Sequence, residues 1–225
     1  MSARAHLLKQ DWSAAHSFDR DRFRELFVEL TPELQFRVLE VRHPPRGAYW
    51  SKIWPTSVAV SQWLLARPRK WFPQTAIEIG CGLGLVSLTL AHLNVVIEGT
   101  DREPQALLLT EEAGAFNSLS GLTTGALEWS SEPGPATSLL VGADVMYERS
   151  SPQALFSLIH SSGLLASRGV LVLGTPRRRH TYLDSLVDQL KRVGYQHEVT
   201  ESKTQWKGKT EGIDIHCLRR PSAAA

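Results

Sequence analysis

The stretch EIGCGLG, residues 78–84, places Gly80, Gly82 and Gly84 two residues apart behind an acid, Glu78. An apolar run precedes it and LGLVSLTLAHL follows, so it reads as the turn between a strand and a helix. Glycine lets the backbone turn tightly and lets a ligand approach the main chain. The helix start offers unpaired N–H groups and the positive end of a dipole. Two cofactor classes use this geometry. A dinucleotide fingerprint spaces its glycines G-x-G-x-x-G beneath a diphosphate. That spacing requires glycine at position 85, where the chain has Leu85. The spacing here is G-x-G-x-G, and a carboxylate at Glu78 disfavours a diphosphate by charge. The pattern points to a cationic, amino-acid-bearing cofactor, S-adenosyl-L-methionine, rather than a nicotinamide dinucleotide.

Three further groups fall at ends of apolar runs. Asp101 closes VVIEGTD, 21 residues after Gly80, where a carboxylate can accept two ribose hydroxyl hydrogen bonds. Both cofactor classes use such an acid, and the competing role is to cap the helix beginning at Pro104. Glu128 and Trp129, in GALEW, would reach the same crevice, the acid accepting the adenine amino group and the indole covering the ring. The alternative is a surface acid beside a core tryptophan. SLLVGADVMYER ends an apolar run in Asp144, with Tyr147 three residues on. That pair is either a strand-terminating turn or a catalytic rim. Ligands of open α/β sheets bind outside the carboxyl ends of the strands, which favours the rim.

The elements that would hold these groups alternate. TAIEIG, VVIEGTD, LTTGALEW, SLLVGADVMY and GVLVLGTP read as strands. Between them, helices are expected over LGLVSLTLAHL, EPQALLLTEEAGAFN and SPQALFSLIHSSGLL, with HTYLDSLVDQLKRVGY following the last strand. SEPGPATS is a turn region. QHEVTES and GIDIHCLRR form a final, antiparallel-capable pair. This alternation argues for a mostly parallel α/β sheet. Upstream, Phe23, Leu26, Phe27 and Leu30 recur at helical spacing, so DRDRFRELFVEL reads as an amphipathic helix. QFRVLEVR reads as a strand or hairpin arm, and a helix is expected from about Pro55 to Ala66. The division expected is one domain over residues 1–225. Residues 1–74 form a cap over the sheet's active edge, and 75–220 form the cofactor-binding core.

The bulk numbers narrow the classes. The chain of 225 residues has 25 basic and 23 acidic side chains, a formal charge of +2 that makes no electrostatic case for nucleic acid. Cys81 and Cys217 cannot build a disulfide framework or a thiolate zinc site, and Cys81 reads as a packing residue. The eight histidines show no HExxH spacing. His92, His160 and His180 read as structural or solvent-facing, and no metal is expected. The first residues lack the apolar core of a secretory signal, and no run approaches a membrane span. The expectation is a cytoplasmic protein, monomeric, binding neither DNA nor membrane. TPRRRH, residues 175–180, reads as a solvated helix entrance, with an acidic protein surface as a further option.

AIEIGCGLGLVSLTLA followed by EGTD resembles the seven-stranded, class I S-adenosylmethionine-dependent methyltransferases. Within them, YWSKIWPTSVAVSQWLL, LEW and ADVMYE resemble the lysine methyltransferase group called methyltransferase family 16, over roughly residues 47–220. The resemblance implies a Rossmann-like three-layer sandwich with strand order 3-2-1-4-5-7-6 and strand seven antiparallel. It implies a cofactor site of Trp54, Glu78, Gly80, Gly82, Gly84, Asp101, Glu128, Trp129 and Asp144. Pro55 belongs to the same W-P element as Trp54. Asp144 and Tyr147 match its D-x-x-Y signature and are the implied catalytic pair. The implied acceptor is a lysine side chain of a protein. A small-molecule amine methyltransferase and a non-catalytic binding module are the alternatives. The chain departs from the group in TSVAV after W-P, where a glycine-rich continuation is common.

Overall fold

The computed structural model describes residues 21–130 and 134–222, apart from the side chains of Arg179 and His180. Nine strands and five α-helices are formed by the described residues. Strands β1 (Phe23–Thr31) and β2 (Leu34–Val41) make an antiparallel hairpin. Helix α1 (Pro55–Leu65) follows, then β3 (Thr75–Ile79), α2 (Leu85–His92), β4 (Val96–Asp101), α3 (Pro104–Phe116) and β5 (Leu122–Ala126). The second half runs β6 (Thr137–Ala143), α4 (Ser151–Phe156), β7 (Leu165–Pro176), α5 (His180–Arg192), β8 (Gln196–Trp206) and β9 (Lys209–Arg219).

The main sheet has the order β5-β4-β3-β6-β7-β9-β8, with β9 antiparallel to both neighbours and the rest of the central strands parallel. Counted within this sheet, that is 3-2-1-4-5-7-6, as the family resemblance implied. Parallel strands buried on both faces carry alternating apolar side chains to opposite layers. Leu139, Val141 and Val172 enter the core beneath α1 and α2, whereas Leu140, Leu171 and Leu173 enter the core beneath α4 and α5. Helix α2 is buried from Leu85 to Ala91 because the sheet, α1 and the hairpin's core enclose it. Helix α5 is one-sided, burying Leu183, Leu186 and Leu190 while Val193 beyond it is 36% exposed. The helix expected over SPQALFSLIHSSGLL is shorter: after Phe156 it widens into a π turn, Ser157–Ser161, and Leu165 already belongs to β7.

One expectation is overturned. The described part of DRDRFRELFVEL, from Asp21, is no helix; residues 23–31 are strand β1. Phe27, which helical spacing put on the apolar face, is 56% exposed, while Phe23, Val28 and Leu30 are buried. Pairing with β2 decides the outcome. Phe36, Val38 and Leu39 join them in a core with Val58, Leu85, Leu88 and Leu109, seating the hairpin on α1, α2 and α3. Tertiary packing outweighs a local helical period of four residues.

The hairpin is fastened by a buried carboxylate. Glu40 is fully buried and accepts the Ile53 N–H at 3.0 Å, the Lys207 ammonium at 3.0 Å on each oxygen, and the Arg24 guanidinium Nε at 2.9 Å. Burial alone would raise its pKa; the Ile53, Lys207 and Arg24 donors outweigh this and hold it below the usual carboxylate value. Lys207 occupies the β8–β9 turn at φ 47°, so the carboxylate joins the two hairpins to the segment entering α1. Glu40→Ala leaves these donors facing a void and is expected to destabilise the fold by about 3 kcal/mol in urea unfolding. Because the native carboxyl titrates below its ordinary value, its contribution is complete above pH ~4.5 and is lost as pH falls below that. The stability gap between wild type and Glu40→Gln therefore closes on acidification.

Candidate active site

The glycine turn leaves β3 and enters α2 through three left-handed residues, Gly80, Gly82 and Gly84, at φ 62°, 55° and 74°. Two of them also need the absence of a side chain. A Cβ on Gly80 would lie 2.8 Å from Val145 Cγ1, and one on Gly84 would run into Thr110 of α3. Thr110 Oγ1 donates to the Gly82 carbonyl at 3.1 Å, tying the turn to α3. The Gly82 N–H donates to Asp101 Oδ2 at 3.0 Å, and the Glu103 N–H to Oδ1 at 3.0 Å. Asp101 is not the N-cap of α3, a position held by Glu103; it accepts the Glu103 N–H just before the helix while reaching across to the glycine turn. Burial raises its pKa, and the backbone donors oppose that rise.

Glu78 is 1% exposed, and its Oε2 accepts both the backbone N–H of Ser87, at 2.8 Å, and the Ser87 hydroxyl. Burial pushes its pKa up to about 8 against those hydrogen bonds, so the group is largely neutral at pH 7. The charge argument made from Glu78 is therefore carried by its neighbours instead; Glu78 itself anchors the first turns of α2. Cys81 is buried beside it, and burial raises its thiol pKa well above the ordinary value, which leaves it unreactive.

Asp144 lies one residue past β6, at φ 56°, with its N–H donated to the Gly174 carbonyl at 3.0 Å. A left-handed non-glycine residue at a strand end re-aims the following chain. Here it brings Val145 under Gly80 and Tyr147 to the cleft mouth, where Tyr147 is 38% exposed. Burial raises the Tyr147 pKa although the Arg102 guanidinium opposes it, so the phenol stays protonated at neutral pH. Arg102 and Glu148 form an ion pair of 3.5 Å beside it.

Apart from Gly84, the residues expected to form the site meet at the carboxyl ends of β3, β4, β5 and β6, with Trp54 joining them from the entrance to α1. Trp54, Glu78, Gly80, Gly82, Asp101, Glu128, Trp129, Asp144 and Tyr147 line one cleft of about 310 Å³. Gly84 lies outside the lining and caps α2. Trp129 lines the cleft and also packs, partly buried, against the core beneath α4 and α5. Tyr49, Lys52, Arg102 and Glu148 also line the cleft, and sequence reasoning did not single them out. The density of aromatics over residues 49–63 was the available signal for Tyr49. Nothing local marked Lys52.

The lining suits a cationic ligand bearing hydroxyls. Besides the largely neutral Glu78, the lining includes the acids Asp101, Glu103, Glu128, Asp144 and Glu148, against the two cations Lys52 and Arg102. A diphosphate would meet acids, and Arg102 is already paired with Glu148. Two of the TPRRRH arginines are committed elsewhere: Arg177 pairs with Asp214 and Glu201, and Arg178 with Glu211, at 2.6–2.8 Å, while the Arg179 side chain lies outside the described residues. His92 is exposed against Phe36, and His160 packs between Phe156 and Tyr195. The side chain of His180 lies outside the described residues. Among the described residues no cluster of three metal-ligating side chains is present, and no helix is long and apolar enough to cross a membrane.

A family model described as lysine methyltransferase matches residues 37–193. The chain is 24% identical over 134 residues to a mouse protein named histone-arginine methyltransferase METTL23, covering 56% of this chain and 52% of the mouse one. The rat protein of that name is 25% identical over the same length and is 58% covered. The chain thus spans about half the length of the curated relatives it matches. The fold is shared with magnesium protoporphyrin IX methyltransferase from Synechocystis PCC 6803, solved with bound S-adenosylmethionine. The TM-score is 0.56 at 19% identity, covering 71% of this chain and 76% of that one. It is also shared with the N-methyltransferase NodS from Bradyrhizobium japonicum WM9, solved with S-adenosyl-L-homocysteine. There the TM-score is 0.53 at 20% identity, covering 66% and 79%.

The neutral Glu78 has a measurable signature. Its folded pKa lies above its unfolded value of 4.5, so the folded state holds a proton that the unfolded state has lost between those values. Its contribution to stability falls as pH rises from about 5 to about 8 and is flat beyond. Glu78→Gln removes this slope; the check is the midpoint of urea unfolding measured for both proteins across that range.

Proposed function

The chain belongs to the lysine methyltransferase family, whose cofactor is S-adenosyl-L-methionine, and we propose that it transfers the methyl group to a side-chain nitrogen of a protein, lysine first. The observation that carries this reading is the placement of Asp144 and Tyr147 on the rim of the cleft that Asp101 and the glycine turn floor. The cofactor supplies an electrophilic methyl group on a sulfonium. Trp54, Gly80, Gly82, Asp101, Glu128 and Trp129 would hold it. Asp101 would accept the ribose hydroxyls, Glu128 the adenine amino group, and Trp129 would cover the ring.

The chain's own task is then to place a nitrogen. A lysine amine has a pKa near roughly 10.4 and must arrive neutral, with its lone pair aimed at the methyl carbon. A carboxylate beside an amine raises the amine's pKa, whereas burial lowers it. Asp144 therefore attracts and orients the incoming cation, and its charge does not itself assist proton loss. Tyr147, protonated, offers a hydrogen bond and a wall for the alkyl stem. The proton leaves to solvent through the open mouth. Both side chains position the acceptor, and neither is a strong general base.

Arginine is the second reading, favoured by the names of the mouse and rat relatives. A guanidinium is planar and bidentate, and a single aspartate can bind it through two parallel hydrogen bonds. Labelled methyl transfer into a cell lysate, followed by peptide mapping, separates lysine from arginine. Label confined to the small-molecule fraction overturns both.

Two substitutions test the assigned roles. Asp101→Ala should weaken S-adenosylmethionine binding by about 10–100-fold in calorimetry, the loss of hydrogen bonds to a charged acceptor. Asp144→Asn should lower turnover by about 10–100-fold, the scale of a misplaced acceptor, with the protein still folded and still binding cofactor. Full turnover by Asp144→Ala removes Asp144 from the mechanism.

A further inference from the structure

The segment from Tyr49 to Trp54 forms one wall of the cleft and is held rigidly from behind. Ser51 and Ile53 are buried, the Ile53 N–H is bound by Glu40, and the Trp54 indole N–H donates to the Tyr49 carbonyl at 2.7 Å. Lys52, between the two buried residues, has extended backbone at φ −149°, so its side chain leaves the wall on the opposite side, into the cleft. Three rings stand there in sequence. Trp54 and Tyr49 have centroids 6.2 Å apart, and Tyr49 and Tyr147 5.3 Å apart, each pair inclined at 50°. Tyr49 and Tyr147 are 50% and 38% exposed, large apolar faces left open to solvent. The Lys52 ammonium lies 4.4 Å from the centroid of the Trp54 ring.

Indole faces carry negative potential, and a cation within about 6 Å of the centroid is attracted to them. The acids lining the same cleft deepen that potential. Yet the cation present is the chain's own. We propose that the rings of Trp54, Tyr49 and Tyr147 form a binding site for alkylammonium groups at the cleft mouth, that Lys52 is its resident occupant, and that an incoming ammonium or methylammonium group binds by displacing it. The site stands on the ring geometry; only the identification of the incoming group with the methyl acceptor rests on the function proposed above. An internal competitor lowers the affinity of every cation equally in charge terms. It thereby favours ligands that add contacts of their own with the two tyrosines.

The test uses the full chain without cofactor and asks for binding alone. Choline is titrated at constant ionic strength, followed by the Trp54 indole N–H resonance, which Trp54→Phe identifies. Its neutral isostere, 3,3-dimethyl-1-butanol, is titrated in parallel. Choline is expected to bind and the alcohol to bind more weakly. Lys52→Met should tighten choline by about 2–5-fold, the size of an exposed cation–π contact, and Tyr49→Leu should weaken it. Arg102→Gln removes a charge beside Tyr147 but none from the Trp54 face, and should change choline affinity less than Lys52→Met. Equal binding of the alcohol overturns the proposal, as does unchanged affinity in Lys52→Met or an equal effect of Arg102→Gln. Calorimetry with S-adenosylmethionine on the same samples keeps the two readings apart. Cofactor binding without choline binding sinks this inference alone; choline binding without cofactor binding sinks the methyltransferase reading alone.

Discussion

The wall of the cleft depends on one buried carboxylate. Glu40 has no exposure to solvent, and it survives as an ion because three segments surround it with donors. Those segments are far apart in the chain: β1 through Arg24, the entrance to α1 through Ile53, and the β8–β9 turn through Lys207. A buried charge is costly unless every partner is in place. The arrangement therefore admits little drift. Residues 49–54 inherit that rigidity, and with it the rings and the ammonium that face the ligand space.

The floor of the cleft uses a different economy of charge. Glu78 and Asp101 stand at the ends of neighbouring parallel strands, close enough that the Asp101 charge adds to the burial that raises the Glu78 pKa. Two ionised carboxylates there would repel. The chain resolves this by burying Glu78 against Ser87, where it is held largely neutral, and leaving Asp101 as the acid that faces the glycine turn. The positive end of α2 follows directly on the left-handed glycine turn.

Much of the fold was legible because its core strands obey simple rules. Short apolar runs ending in glycine or aspartate, separated by helices, specify a parallel sheet, and TAIEIG and VVIEGTD appear as β3 and β4 with the expected ends. The strand order came through the family resemblance, since periodicity carries no pairing information. The first hairpin was misread for a physical reason. FRELFVEL satisfies a helical period, and only the partner strand, ten or so residues on, shows which of its apolar residues have somewhere to go. Within the site, the glycine turn, Asp101 and the D-x-x-Y pair were legible as residue types in context. The neutrality of Glu78 was not, because it follows from enclosure. Lys52 was not either, because a lone lysine in a loop has no pattern, and its meaning comes from an indole two residues away that folds back beneath it.

The Glu40–Lys207 contact also sets an order in time. Lys207 follows Glu40 by 167 residues. A ribosome adding about 5–20 residues per second delivers the two ends of this contact roughly 10–30 s apart. Throughout that interval the hairpin, α1 and the glycine turn can form, but the wall bearing Tyr49 and Trp54 lacks its last anchor. Until Lys207 arrives, Glu40 lacks one of the three donors that hold it.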